Sequence, residues 1–129
     1  MRHDVRVIFG DTDQMGVVYY ANYLRYFEGS RAAYWRALGR SHKDLETWGI
    51  ALPVVEAHCA YKRPARYEDV LEIDVEVGEV KMASLKFVYR VERGTEVIAD
   101  GWTRHAVIDA ATGRLRALPD ALRSVIRAR

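Results

Sequence analysis

"DTDQMGVVYYANYLRYFEGSR", residues 11–31, changes character twice. It opens as a polar turn with two carboxylates, Asp11 and Asp13. It passes through an apolar run, GVVYY, that reads as buried. It then becomes a helix over residues 22–38, where Tyr20, Leu24, Phe27, Arg31, Tyr34 and Leu38 fall at helical spacing. Tyr23, Tyr26 and Ala33 widen that stripe, and Gly39 is a natural stop. So aromatic a helix has to be covered, which predicts that it lies at the centre of the fold. The turn before it is rich in Gly and Asp, which tolerate unusual backbone angles or hydrogen-bond to the backbone.

Working outward, Val5, Val7 and Phe9 alternate with Asp4, Arg6 and Ile8, which predicts a short first strand. Ser41 is placed to N-cap a short second helix that ends at Gly49. From Pro53 onward the period becomes two. PVVEAHCAY sets Val55, Ala57, Cys59 and Tyr61 on one side. VLEIDVEV sets Leu71, Ile73, Val75 and Val77 against Glu72, Asp74 and Glu76. SLKFVYRV sets Leu85, Phe87, Tyr89 and Val91 against Ser84, Lys86, Val88 and Arg90. EVIADGWTRHAVID is a longer, mixed fourth stretch. Such alternation marks an antiparallel sheet with one wet face. GEVKMAS and ERGTE are short enough for hairpins. LPDALRSVIRA closes the chain as a helix with Pro119 near its first turn. The fold class is therefore α+β: a curled antiparallel sheet of about five strands around the long helix. The open sheet edges favour pairing across a symmetric dimer.

Length and composition bound the function. A chain of 129 residues is expected to be one domain, residues 1–129, burying roughly 65–70% of its unfolded surface. Half of the residues are hydrophobic and 29% are charged, an ordinary globular balance. The net charge of +2 is dispersed, which argues against nucleic acid as a partner. The single cysteine, Cys59, excludes an intrachain disulfide. The opening MRHDVRVIFG has no apolar run long enough for a signal peptide or a membrane span, so a cytoplasmic protein is expected. No G-x-S-x-G elbow surrounds Ser30 or Ser84, and no phosphate loop is present. His3, His58, His105 and Cys59 do not fall at metal-ligand spacing; neither a metal nor a cofactor is expected.

The element order, with D-x-D, two residues, G-V-V-Y and an aromatic helix, resembles the hotdog-fold acyl-CoA thioesterases. It is most similar to their 4-hydroxybenzoyl-CoA thioesterase-like branch, which includes small bacterial acyl-CoA thioesterases associated with the Tol–Pal cluster. YKRPARYEDVLEI, residues 61–73, resembles the family's basic stretch with Pro and an acidic pair before an apolar strand. The resemblance covers nearly the whole chain. It implies a thioester hydrolase in which Asp13 is the catalytic carboxylate. It implies that a backbone N–H at the start of the helix, at Tyr20, polarises the thioester carbonyl. It also implies an acyl-CoA bound at a subunit boundary, in homodimers that pair into homotetramers. Many relatives have His where this chain has Tyr20; a backbone N–H survives that change.

The residues allow this chemistry. A carboxylate can attack a thioester directly or deprotonate a water. A helix start presents unpaired N–H groups and a positive dipole end to an oxyanion. Gly16, Val17 and Val18 would bring backbone and apolar surface to the acyl group. Lys62, Arg63, Arg66 and Lys81 are candidates for the CoA phosphates, with solvated surface charge as their plainer role. Asp11 reads as a turn or capping residue, and Asp13 alone would read the same way without the resemblance. Asn22 reads as a helix-start cap or hydrogen-bond partner. Glu28 and Arg31 read as a local ion pair, or as a buried pair near the site if they face the sheet. Three other functions stand beside the hydrolase. A hydratase of acyl thioesters would pair Asp with a nearby His, but no His follows Asp13 before His42. A non-catalytic acyl-thioester binder would not need Asp13. Nucleic-acid binding would need a basic aromatic face.

Overall fold

The computed structural model describes residues 1–127. Its main sheet has five antiparallel strands in the order β1-β4-β5-β6-β3. These are β1 (Arg2–Arg6), β3 (Val54–Tyr61), β4 (Val70–Val80), β5 (Ser84–Arg93) and β6 (Glu96–Ala106). The central helix α1 (Asn22–Ala37) lies on the sheet's inner face, giving the hotdog arrangement. A short helix α2 (His42–Thr47) follows. A two-stranded ribbon of β2 (Ile50–Ala51) and β7 (Ile108–Asp109) and a last helix α3 (Asp120–Arg127) complete the chain. No helix among the described residues is long and apolar enough to cross a membrane.

The period-two reading holds best where both neighbours are strands. Leu71, Ile73 and Val75 of β4 and Leu85, Phe87, Tyr89 and Val91 of β5 are all buried on the inner face. Against them α1 lays Tyr23, Tyr26, Phe27, Ala33 and Tyr34. Phe27 stacks flat on Tyr89, with centroids 4.1 Å apart, and Tyr34 meets Phe87 edge-on at 5.5 Å. Aromatic pairs in these geometries add to the plain burial of their area.

Three expectations are corrected. Phe9 is not in the first strand: β1 ends at Arg6, and Phe9 lies in a single 3-10 turn, Phe9–Asp11, with 76% of its surface exposed. The helix is rotated from the expected stripe, so Tyr20 and Leu24 are exposed while Ser30 is buried. The packing face follows Tyr23, Tyr26, Phe27, Ser30, Ala33 and Tyr34, where ring area is greatest. Finally, β3 has no buried face: Val55, Ala57 and Tyr61 are exposed and Cys59 is only half-buried. As the edge strand it pairs with β6 alone, and α1 does not cover it fully.

Gly101 of β6 leaves no room for a side chain between helix and sheet. A Cβ there would stand 2.1 Å from the carbonyl oxygen of His58 and 3.0 Å from a ring carbon of Phe27. Both neighbours are held, one in the β3 ladder and one in the Phe27–Tyr89 stack. Replacing Gly101 with Ala is expected to lower the unfolding free energy by about 2–3 kcal/mol in urea titration. A loss under half of that would show that strand and helix separate without cost.

Candidate active site

The turn of residues 11–20 is held by a small number of bonds. The Asp13 N–H donates to the Val17 carbonyl at 2.9 Å, and the Gly16 N–H donates to the Asp13 carbonyl at 2.9 Å. Thr12 pairs with Val18, and Val17 with Arg66, as isolated bridges. Gly16 sits at φ +78°, where a side chain would be strained, so glycine is required for the turn itself. Val18 is buried and its N–H donates to Ala65 O at 2.8 Å, which spends its side chain in the core. Val17 is left as the half-buried apolar surface of the turn.

Asp11 and Asp13 have opposite surroundings. Asp11 is 4% exposed and both of its carboxylate oxygens have donors. Tyr26 donates its O–H at 2.9 Å, the Ile8 N–H donates at 3.2 Å, and the Arg25 guanidinium makes an ion pair. The Asp11 carbonyl also accepts from Tyr19 N–H and from the Asn22 side-chain amide, each at 2.9 Å. Asn22 is therefore a hydrogen-bond partner inside the first turn, and the capping position belongs to Ala21. Asp13 is half-buried and accepts one bond, from Met15 N–H to Oδ1 at 2.8 Å. No hydrogen bond among the described residues uses its Oδ2. Its charge is felt by the Tyr19 phenol, whose pKa is raised by Tyr20 first and by Asp13 in smaller part.

The helix start lies directly after this turn. The Asn22 N–H donates to Tyr19 O and the Tyr23 N–H to Tyr20 O. Among the described residues no hydrogen bond uses the N–H of Tyr20. The Tyr20 ring is 60% exposed and meets Tyr61 edge-on at 6.2 Å, while the Tyr61 hydroxyl donates to Tyr20 O at 3.3 Å.

The basic candidates divide between two ends of the sheet. Lys62 and Arg63 follow β3, next to Tyr61, and both backbone N–H groups donate to Ile98 O. Arg63 pairs with Glu96 at 3.3 Å. Arg66 lies against the turn through Val17. Lys81 sits in the β4–β5 hairpin, paired with Glu79 at 3.0 Å, at the far end of β4. That strand is about 35 Å long, so one chain does not bring Lys81 to Lys62 and Arg63.

Sequence reasoning missed a buried polar chain beside α1. The Arg31 guanidinium donates to the Tyr89 phenol oxygen at 3.0 Å. Tyr89 and Thr103 share a bond of 2.6 Å, Thr103 meets His105 Nε2 at 2.9 Å, and His105 Nδ1 meets Leu52 O at 3.0 Å. A carbonyl only accepts, so Nδ1–H donates to Leu52 O. With His105 neutral, Nε2 accepts from Thr103, and Thr103 in turn accepts from Tyr89, whose oxygen accepts from Arg31. Burial lowers the His105 pKa and nearby Arg31 lowers it further, against the opposing pull of Leu52 O. The expected Glu28–Arg31 pair does not form: Glu28 is exposed and Arg31 turns inward to Tyr89. Only the period-two position of Thr103 and His105 on β6 carried any signal of the chain.

Residues 7–126 match the model of the thioesterase-like superfamily. The acyl-CoA thioesterase YbgC of Haemophilus influenzae is 35% identical over 116 residues, covering 89% of this chain and 85% of its own. A 1,4-dihydroxy-2-naphthoyl-CoA hydrolase of a Synechococcus strain is 33% identical over 125 residues, covering 91% and 82%. The solved structure of a gentisyl-coenzyme A thioesterase superposes with a TM-score of 0.87 at 27% identity, covering 98% of this chain and 99% of that one.

Two buried tyrosines of α1, one of them bonded to Asp11, give the fold an alkaline limit. Burial pushes Tyr23 up to about 12, with smaller help from Cys59 and Tyr61. Tyr26 is also raised, by burial and then by its bond to Asp11. The unfolded chain releases these protons near pH ~10. The stability they contribute is complete below that value and is lost as pH rises toward about 12. Unfolding free energy is expected to hold up to pH ~10 and to fall above it, with phenolate absorbance appearing alongside loss of near-ultraviolet circular dichroism. Asp11→Ala is expected to cost about 1–3 kcal/mol, because Tyr26, Arg25 and the Ile8 N–H lose their acceptor. A variant as stable as the parent in thermal melts would refute that role.

Proposed function

The chain belongs to the thioesterase-like superfamily and is a hydrolase of acyl-CoA thioesters, and on that premise we propose that Asp13 and the Tyr20 N–H carry out the hydrolysis of a small-molecule acyl-CoA. The observation that carries this reading is the contrast between the two carboxylates of one turn. Both carboxylate oxygens of Asp11 are engaged, while among the described residues no hydrogen bond uses Asp13 Oδ2 or the Tyr20 N–H at the helix start. The thioester oxygen accepts from the Tyr20 N–H as negative charge develops on it. The Asp13 carboxylate takes a proton from water, whose oxygen adds to the carbonyl carbon, or it adds to that carbon itself and is released from the anhydride by water. In both routes the carbon–sulfur bond breaks, the CoA sulfur leaves as thiolate and takes up a proton, and the free acid remains.

A second copy completes the site in this reading. β3 offers an unpaired edge with exposed Val54, Val55 and Tyr61. Two such edges pairing antiparallel about a two-fold axis would place the Tyr61 end of one copy beside the Val54 end of the other. Tyr61 touches Tyr20, so the turn of one copy would face the Val54 end of its partner. That end carries His105, paired with Val54, and Leu85, paired with His105, two strands in from the edge. Lys81 lies in the hairpin at the same end, where its N–H meets Ser84 O at 2.8 Å. The pairing would thus gather Lys81 with Lys62 and Arg63 of the other copy, and the separation seen in one chain supports a CoA site shared between two.

Free-thiol release from short aliphatic, long aliphatic and aromatic acyl-CoAs tests the assignment. Asp13→Asn is expected to remain folded and to lower turnover by roughly two to four orders of magnitude. Tyr20→Phe is expected to stay within a few fold, because the backbone N–H is kept. Full activity in Asp13→Asn would remove the carboxylate from the mechanism. A collapse in Tyr20→Phe would move the burden to the phenol.

A further inference from the structure

A cavity of about 470 Å³ lies between α1, α2 and the Val54 end of the sheet, and Asp13 and Tyr20 are not among its lining residues. Trp35, Leu45, Trp48 and Phe87 give it apolar walls. Arg31 and Arg40 also line it, and both have unmet hydrogen-bonding capacity. Arg31 is half-buried and donates to a phenol, and no carboxylate among the described residues pairs with it. Arg40 lies over the Trp48 ring at 5.7 Å, and its Nε–H is buried with no partner among the described residues. The two carboxylates on the lining do not resolve this. Glu28 is exposed, and Asp44 accepts from the Ser41 N–H at 2.7 Å and stands 4.0 Å from a different nitrogen of Arg40.

A half-buried guanidinium without an anion and a buried N–H without an acceptor both cost free energy. The cost is relieved by a ligand that brings acceptors. A planar carboxylate matches the guanidinium fork, and the aromatic walls call for an apolar body behind it. The direction of the polar chain keeps the Tyr89 oxygen as an acceptor for Arg31, so the remaining guanidinium donors stay available.

We propose that this cavity recognises the carboxylate of a small apolar acid, held by Arg31 with the Arg40 Nε–H and packed on Trp35 and Trp48. The carboxylate has two sources. One is the far end of the acyl group of a dicarboxylic monothioester, brought by the partner's catalytic turn. The other is a free acid. The first source rests on the hydrolase reading above; the second does not.

Tryptophan fluorescence reads the cavity directly, because Trp35 and Trp48 line it. The wild-type protein is titrated with hexanoate, with hexanamide and with inorganic phosphate. Hexanoate is expected to bind at least tenfold more tightly than either control. Arg31→Met is expected to abolish the difference, and Arg31→Lys to restore part of it. Hexanoate no tighter than hexanamide, or matched by phosphate, overturns the proposal in the wild-type protein alone, whatever the folding of the variants. The kcat/KM ratio for adipoyl-CoA over hexanoyl-CoA then separates the sources. A ratio of ten or more that collapses in Arg31→Met assigns the acyl end. A ratio near one with hexanoate still bound assigns the free acid. Absence of thiol release from every acyl-CoA, with hexanoate still bound, refutes the hydrolase reading and leaves the cavity in place.

Discussion

The buried carboxylate of Asp11 is the contact on which the candidate site depends. It gathers Tyr26 and Arg25 from the helix and the Ile8 N–H from the entering chain. Its own carbonyl holds Tyr19 and Asn22. A single residue thereby fixes where the chain leaves the first strand, how the turn closes and where the helix begins. Asp13, two residues on, inherits its position from that arrangement. Residues two apart would share a face of an extended segment, but Asp11 ends a 3-10 turn and Asp13 opens the next turn, so their side chains leave on different sides. One side meets the helix and the other meets solvent and the turn's interior. The same side-chain type is a structural node at one position and, at the other, a carboxylate with one local hydrogen bond among the described residues.

The sheet and helix were legible because their packing repeats. β4 and β5 each have a strand on either side and a helix above, so burial alternates from Leu71 to Val77 and from Leu85 to Val91, where register shifts end it. The departures have local causes. β3 carries the same alternation in its sequence but has a neighbour on one side only, so period-two residues there report pairing rather than burial. Phe9 continues an apolar alternation, yet the chain must turn to present Asp11, and the strand ends first. The buried face of α1 is turned by roughly one position from the sequence stripe that includes Leu24 and Arg31. Ring area outweighs a single aliphatic contact, and the helix turns to bury Tyr23, Phe27 and Tyr34.

The turn that carries Asp13 was legible for a different reason. D-x-D with G-V-V-Y is a contiguous motif, and Gly16 is dictated by a backbone angle rather than by distant contacts. The chain from Arg31 to Leu52 is not contiguous. Its members come from α1, β5, β6 and the loop before β3, and only the strand register brings Tyr89, Thr103 and His105 together. No spacing in the sequence announces it, and a histidine in an alternating strand reads equally well as filler.

Arg25 and Arg31 on the same helix show how far the chain satisfies its own charges. Arg25 is largely exposed and yet has a buried anion within reach in Asp11. Arg31 is more enclosed, and its partners among the described residues are neutral, ending in a neutral imidazole and a carbonyl. Solvation would predict the reverse, with the more enclosed cation receiving the carboxylate. The inner arginine cannot give up its proton to escape the cost, because a guanidinium stays charged. The polar chain behind it does not neutralise it; it orients it, by offering one acceptor at a fixed place. An oriented cation facing an aromatic cavity, with no carboxylate paired to it among the described residues, is an arrangement suited to an anionic ligand.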